Sequence, residues 1–194
     1  MKKFFIITGI ILLLVFITTY VIYKNHENEV EKIDNVGLGN TLGALREKYG
    51  KFEYISGSIF FKDENINVNT PISFTDDDLV SNLSISFEST ENPFRTLEEV
   101  LELANTLIPQ DAVKIDQKDF IVDENYTETI IEYKSDLLAK SINNQELYPN
   151  AEIGNFVLLT TKYTGDEFDV GYFHLQIITG NPYREKFRGY NFFK

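Results

Sequence analysis

Apolar residues along this chain follow three rhythms, and each predicts a different element. The first is continuous: the run opens at Phe4 and closes at Tyr23, holds no charged residue, and is preceded by Lys2 and Lys3. A helix of about twenty residues rises about 30 Å, the thickness of a bilayer's hydrocarbon core, so residues 4–23 are expected to cross a membrane. A cleaved signal peptide would have a shorter apolar region of about 7–15 residues and a small-residue cleavage site. Here the run ends in Thr18-Thr19-Tyr20-Val21-Ile22-Tyr23, whose tyrosines suit the interfacial belt, so residues 1–23 read as a transmembrane signal anchor. Residues 24–35 are polar and charge-dense and read as a juxtamembrane stalk.

The second rhythm is helical. Asn40 or Thr41 caps a helix of two turns that sets Leu42, Leu45 and Tyr49 on one face and stops at Gly50. A stronger helix starts at Thr96, with Glu99 three residues on in a capping-box spacing. Leu97, Val100, Leu101, Ala104, Leu107 and Ile108 follow on one face, and Pro109 closes it. The third rhythm is alternation. Leu83, Ile85 and Phe87 face one way with serines between them. Residues 52–61 read as a strand or hairpin, and residues 113–122, 127–134, 156–163 and 168–179 as strands, the last two joined by a turn at Thr164-Gly165-Asp166. Residues 135–149 read as a short helix and a loop.

The predicted order is helix, strands, helix, strands. That predicts an α+β fold after the transmembrane helix, with helices packed on antiparallel sheet, and suggests two loosely duplicated units within residues 36–194. The halves would be residues 36–91 and 92–182, followed by a basic, aromatic tail at residues 183–194.

Charge then narrows the function classes. The 194 residues carry 30 acidic and 18 basic side chains, a net charge of −12. Two of the basic ones flank the anchor. Such a domain repels nucleic acid and anionic headgroups, so no nucleic-acid partner is expected. The positive-inside rule keeps Lys2 and Lys3 cytoplasmic and places the domain outside, in the cell membrane by a single pass. The chain has no cysteine, which excludes lipid acylation, disulfides and thiolate metal sites.

The stretch Gly39-Asn40-Thr41-Leu42-Gly43-Ala44-Leu45-Arg46-Glu47-Lys48-Tyr49-Gly50 resembles the Gly-bounded helix of the SmpA/OmlA family and of beta-lactamase-inhibitor-like modules. The resemblance implies a small extracytoplasmic α+β unit that works by binding other proteins. Residues 104–112 and the Tyr133-Lys134-Ser135 strand end are similar to exported membrane proteins of Gram-positive-type bacteria.

Candidate chemistry is sparse. His26 lies in the stalk, and His174 lies in an alternating strand where Tyr172, His174 and Gln176 would share a polar face opposite Phe173, Leu175 and Ile177. No Ser-x-x-Lys motif is present, and no acidic motif marks a glycan-cleaving pair. Asp63-Glu64-Asn65-Ile66-Asn67-Val68-Asn69 imitates a calcium loop but has Val68 in place of the turn glycine and Phe74 in place of the bidentate Glu, so it reads as a polar turn, as does Asp76-Asp77-Asp78. No catalytic residue, metal ligand or cofactor is expected. The candidate partner-binding residues are Arg184, Lys186, Phe187, Arg188, Tyr190, Phe192 and Phe193 of the tail. The expected function is a non-enzymatic binding or accessory module of the cell envelope with a protein or envelope partner. The alternatives are an envelope hydrolase using acidic residues and an accessory subunit of a secretion, conjugation or division complex. In the accessory-subunit case Thr8, Gly9, Thr18 and Thr19 let helices approach.

Overall fold

The structure, a computed structural model, describes residues 33–55, 58–61, 65–69, 75–88, 90, 93–165 and 170–183. The expected anchor at residues 4–23 lies outside the described residues, as do the first part of the stalk and residues 184–194. Among the described residues no helix is long and apolar enough to cross a membrane.

The chain order is α1 (Leu42–Tyr49), β1 (Glu53–Ile55), β2 (Ser58–Phe61), β3 (Ile66–Asn69), β4 (Asn82–Ser86), α2 (Leu97–Asn105), β5 (Val113–Ile121), β6 (Tyr126–Lys134), α3 (Asp136–Ser141), a 3-10 turn (Gln145–Leu147), β7 (Asn155–Tyr163) and β8 (Gly171–Thr179). All strand pairs are antiparallel and form one sheet in the order β1-β2-β3-β4-β8-β7-β6-β5. The fold is therefore α+β. Each half of the chain supplies a helix followed by a four-stranded meander, and the last strands of the two meanders, β4 and β8, pair at the centre. The first strands, β1 and β5, form the two edges.

Register follows from burial on one face of that sheet, because a slip of one residue would turn every buried side chain to the other side. Ile59, Val68, Leu83, Ile177, Leu158 and Ile131 are directly paired neighbours on six successive strands, and all are buried. A second row runs beside it through Phe61, Ile66, Ile85, Leu175, Thr160 and Thr129. Here two threonines replace hydrophobes, and each is satisfied: Thr160 Oγ1 donates to the His174 carbonyl at 2.7 Å and Thr129 Oγ1 to Asp119 at 2.7 Å. The helices and the loop before α1 cover this face with Leu38, Leu42, Leu45, Val100, Ala104, Leu107 and Leu138.

Local chemistry explains where the helices sit. Thr41 caps α1, its hydroxyl accepting from Ala44 N at 3.2 Å, while the Leu42 and Gly43 amides bond the Asp78 and Asp76 carbonyls at 2.8 and 2.9 Å. The acidic turn at Asp76-Asp77-Asp78 thus closes the start of a helix. Thr96 and Glu99 form the capping box expected for α2, with Thr96 N donating to Glu99 Oε2 at 2.7 Å. Ser135 caps α3 through its bond from Leu138 N at 2.9 Å, and Asp111 reinforces that cap from a distance. Its carboxylate accepts from the Ser135 hydroxyl at 2.5 Å and from the amides of Asp136 and Leu137, each at 2.9 Å. Before α1 the chain lies against the end of α2, with Leu38 N donating to the Leu107 carbonyl at 2.8 Å. A side chain at Gly37 would place its Cβ 2.0 Å from that oxygen.

Two sequence expectations need correction. Within 63–69 the stretch read as a polar turn contains strand β3, because Ile66 and Val68 alternate with asparagines and fill both rows of the core. In β8 the expected faces hold only from His174 onward. Between Thr161/Lys162 the register with β7 shifts, so Tyr172 packs on the main core while Phe173 turns to the opposite side. A β-bulge of this kind exchanges the faces of the residues beyond it.

Candidate functional site

An opening of about 520 Å³ lies between the helices on the core side of the sheet. Its floor is the sheet itself, formed by Ile66, Ile85 and Phe87, and its walls are Tyr49 from the end of α1 and Leu103 and Leu107 from α2. The two short helices come from different halves of the chain, and the groove is the gap left between their turns.

Two cations face this apolar groove. Arg95, at its rim, is fixed by a pair of backbone bonds to Tyr172, its N–H donating at 2.9 Å and its carbonyl accepting at 2.8 Å. Its guanidinium stacks 4.7 Å from the centre of the Phe87 ring, and its Nε is buried with no hydrogen-bond partner. Lys48, at the end of α1, holds its Nζ 4.9 Å from the Tyr49 ring. Neither cation forms a close ion pair among the described residues, but the Arg95 charge reaches the Glu99 carboxylate and helps to lower its pKa. The neutral polar groups of the groove are few. The hydroxyls of Thr90 and Thr106 donate to the carbonyls of Phe87 and Leu103 at 2.7 and 2.8 Å and that of Tyr49 to the Val36 carbonyl at 3.5 Å, which leaves Asn65 as the fourth such side chain.

A smaller, more open cavity of about 320 Å³ is lined by Glu88, Phe94, Tyr126, Tyr163 and Phe173. Its rings contact one another, with Tyr126 and Tyr163 centroids 5.4 Å apart and Tyr126 and Phe173 6.0 Å apart. This is an aromatic cluster closing one end of the sheet.

The second face of the sheet has a different character. Ile130, Val157 and Leu159 form a buried apolar cluster, with Phe120, Ile178 and Tyr183 packed against it. Tyr183, the first residue of the expected tail and its one described member, donates from its hydroxyl to Gln176 Oε1 at 3.0 Å. Burial raises its pKa, and the Glu128 carboxylate adds to the shift. Arg184, Lys186, Phe187, Arg188, Tyr190, Phe192 and Phe193 lie outside the described residues.

His174 sits on this second face beside Gln176, paired across the sheet with Ser86 and Thr161. Burial lowers its pKa, and the carboxylates of Glu88 and Glu128 oppose that shift. Among the described residues no group of three or more His, Cys, Asp or Glu could hold a metal ion. Arg95 and Lys48 carried no motif in the sequence. The available signal was that Arg95 is the one base between Glu88 and Glu102, a stretch that also holds Glu91, Glu98 and Glu99.

No family model, curated protein or solved structure matches the chain.

Proposed function

We propose that the chain is a single-pass membrane protein, anchored by residues 4–23, whose extracytoplasmic domain is a binding or accessory module of the cell envelope. On this reading the domain is built from two copies of one helix-plus-meander plan, and its binding site is the groove between α1 and α2. The observation that carries the proposal is the groove itself, with its apolar floor and its two cations, neither in a close ion pair among the described residues. Concave, mostly apolar sites with a few oriented polar groups are the usual form of a binding pocket. A hydrolase would need two carboxylates facing each other across a cleft. Among the described residues Glu88 is the one carboxylate lining either cavity, so the enzyme reading stands second.

The test is crosslinking in native membranes from a photoreactive residue substituted for Leu103, with the same residue at position 187 of the tail as the comparison. A reproducible adduct from position 103 that is lost on filling the groove supports the proposal. Adducts confined to position 187 would move the binding surface to the tail and refute the groove as the site.

A further inference from the structure

The smaller cavity at the end of the sheet carries an inference of its own, separate from the groove. We infer that it is a second binding site, which takes a quaternary ammonium group among the rings of Phe94, Tyr126, Tyr163 and Phe173, with the Glu88 carboxylate beside it.

These five side chains come from separate segments, and the fold fixes each of them. Tyr126 and Tyr163 are direct partners where β6 and β7 reach the end of the sheet. The register shift between β7 and β8 turns Phe173 to the same side, its ring centre 6.0 Å from that of Tyr126. Phe94 is seated over Gly171, where an added Cβ would lie 2.8 Å from its own, and the backbone pair between Arg95 and Tyr172 holds it there. Phe87 N donates to the Phe173 carbonyl at 2.9 Å, which sets the next residue, exposed Glu88, against the cavity.

Three observations identify the ligand. The first is open aromatic surface, since Tyr126 is 36% exposed and Phe94, Tyr163 and Phe173 are half-buried. Along the series Phe94, Tyr163, Tyr126, Phe173 the centroids are 6.2, 5.4 and 6.0 Å apart and the planes are inclined by 31°, 56° and 65°. The rings therefore line the opening at different angles and do not form the single flat platform on which a sugar stacks. The electron-rich face of such a ring attracts a cation within about 6 Å of its centre.

The second observation is charge. Among the described residues the cavity is lined by one carboxylate and by no cation. Arg95, next to Phe94 in the chain, turns instead to the Phe87 ring and the Glu99 carboxylate. The described cation–ring contacts lie on Phe52, Tyr49 and Phe87, none of which lines this cavity. His174 is close enough to feel the Glu88 charge, but burial keeps it neutral at pH 7, so it does not cancel that charge.

The third observation is how little hydrogen bonding the lining offers. A primary ammonium is strongly hydrated and brings three N–H donors that need acceptors once it leaves water. One carboxylate satisfies only part of that demand. A quaternary ammonium has no N–H and presents methyl groups, which aromatic faces cover without loss. The cavity, of about 320 Å³, has room for it. The group has two sources, a small free solute such as choline or the headgroup of a phosphocholine lipid, and both present the same chemistry to the rings.

The experiment titrates the full chain, held in a non-ionic polyoxyethylene detergent, and follows isotope-labelled tyrosine rings by NMR. Tyr126→Phe and Tyr163→Phe assign the two resonances. The probes are choline, its neutral isostere with a tert-butyl group in place of the trimethylammonium, ethanolamine, and glycerophosphocholine. Choline should shift both resonances saturably and bind about ten-fold more tightly than the neutral isostere. Ethanolamine should bind more weakly than choline. Tighter binding of choline than of glycerophosphocholine assigns a free solute, and the reverse assigns a lipid headgroup. Glu88→Gln and Tyr126→Leu should each weaken choline binding several-fold, whereas Tyr126→Phe, which keeps the ring, should not. Glu88 and Tyr126 are both exposed, and a thermal melt checks that each variant is folded.

The inference is overturned if choline gives no saturable shift, if the neutral isostere or ethanolamine binds as tightly as choline, or if Glu88→Gln and Tyr126→Leu leave its affinity unchanged. The groove is judged by the native-membrane crosslink from position 103, which uses none of these probes, so the two sites stand or fall separately.

Discussion

Asp111 offers a sharp test of how this fold is held together. It lies just before β5, yet its carboxylate closes the start of α3, accepting from the Ser135 hydroxyl and from two helix-terminal amides. Ser135 in turn accepts from Leu138 N, so the two side chains together satisfy three of the four amides that a helix leaves without partners. In Asp111→Ala, water replaces part of what is lost, because Asp136 is exposed at the surface. With about 1 kcal/mol net for each of the three bonds, the cost should be about 2–3 kcal/mol. In a chain of this size each kcal/mol moves the melting point about 2–4 °C, so a drop of about 5–10 °C is expected. Asp111→Asn keeps one acceptor oxygen and should lose about half as much.

Thermal unfolding of the full chain in a non-ionic detergent, followed by near-UV circular dichroism of the tyrosines, measures the drop. Hydrogen exchange reports the amides of Asp136 and Leu137 directly. A double-mutant cycle with Ser135→Ala should show clear coupling, since one bond is shared. If Asp111→Ala melts within about 1 °C of the parent and those two amides stay protected, the account of a distant cap is wrong.

Three further outcomes follow from other sites. Glu99, whose pKa is lowered chiefly by its bond from the Thr96 backbone, should stabilise the domain at neutral pH. In urea titrations the advantage over Glu99→Gln should persist down to the ordinary glutamate value of 4.5 and vanish as pH falls through the lower folded value. His174 has its pKa lowered by burial, so the native state resists taking up its proton. Stability should fall as pH drops from 6.5 through the lower folded value, and His174→Gln should flatten that part of the profile. Gly37→Ala should cost more than about 2 kcal/mol, read as a fall in melting point, because its Cβ would meet the Leu107 carbonyl, a backbone atom held by the end of α2.

What the sequence reveals about this fold is local. The capping box at Thr96 and Glu99 and the alternation of Leu83, Ile85 and Phe87 are legible because each depends on neighbours a few residues apart. Strand β3 escapes the same reading because Ile66 and Val68 sit among asparagines, which also build turns. The exchange of Tyr172 and Phe173 depends on one inserted residue opposite β7, and nothing within β8 announces it. Strand order is further out of reach, since the β4–β8 pairing joins segments about 90 residues apart and leaves no local trace. The groove was illegible for the same reason. Lys48 and Arg95 belong to different halves, and only the packing of α1 and α2 on one sheet brings them to one cavity.

That central pairing also sets the order in which the molecule can be completed during synthesis. When β4 has been made, its partner on one side is in place as β3, but its other neighbour is the last strand of the domain. At about 5–20 residues per second, the ribosome needs roughly 5–20 s to reach β8. Through that interval β4 presents an open row of backbone donors and acceptors, with Leu83 and Ile85 beside it, to whatever is nearby. A nascent chain in this state is a natural client for a holding chaperone, and crowding of several such chains would favour pairing between copies. Slowing translation between α2 and β8 should therefore lower the yield of monomer more than the same delay placed after Thr179.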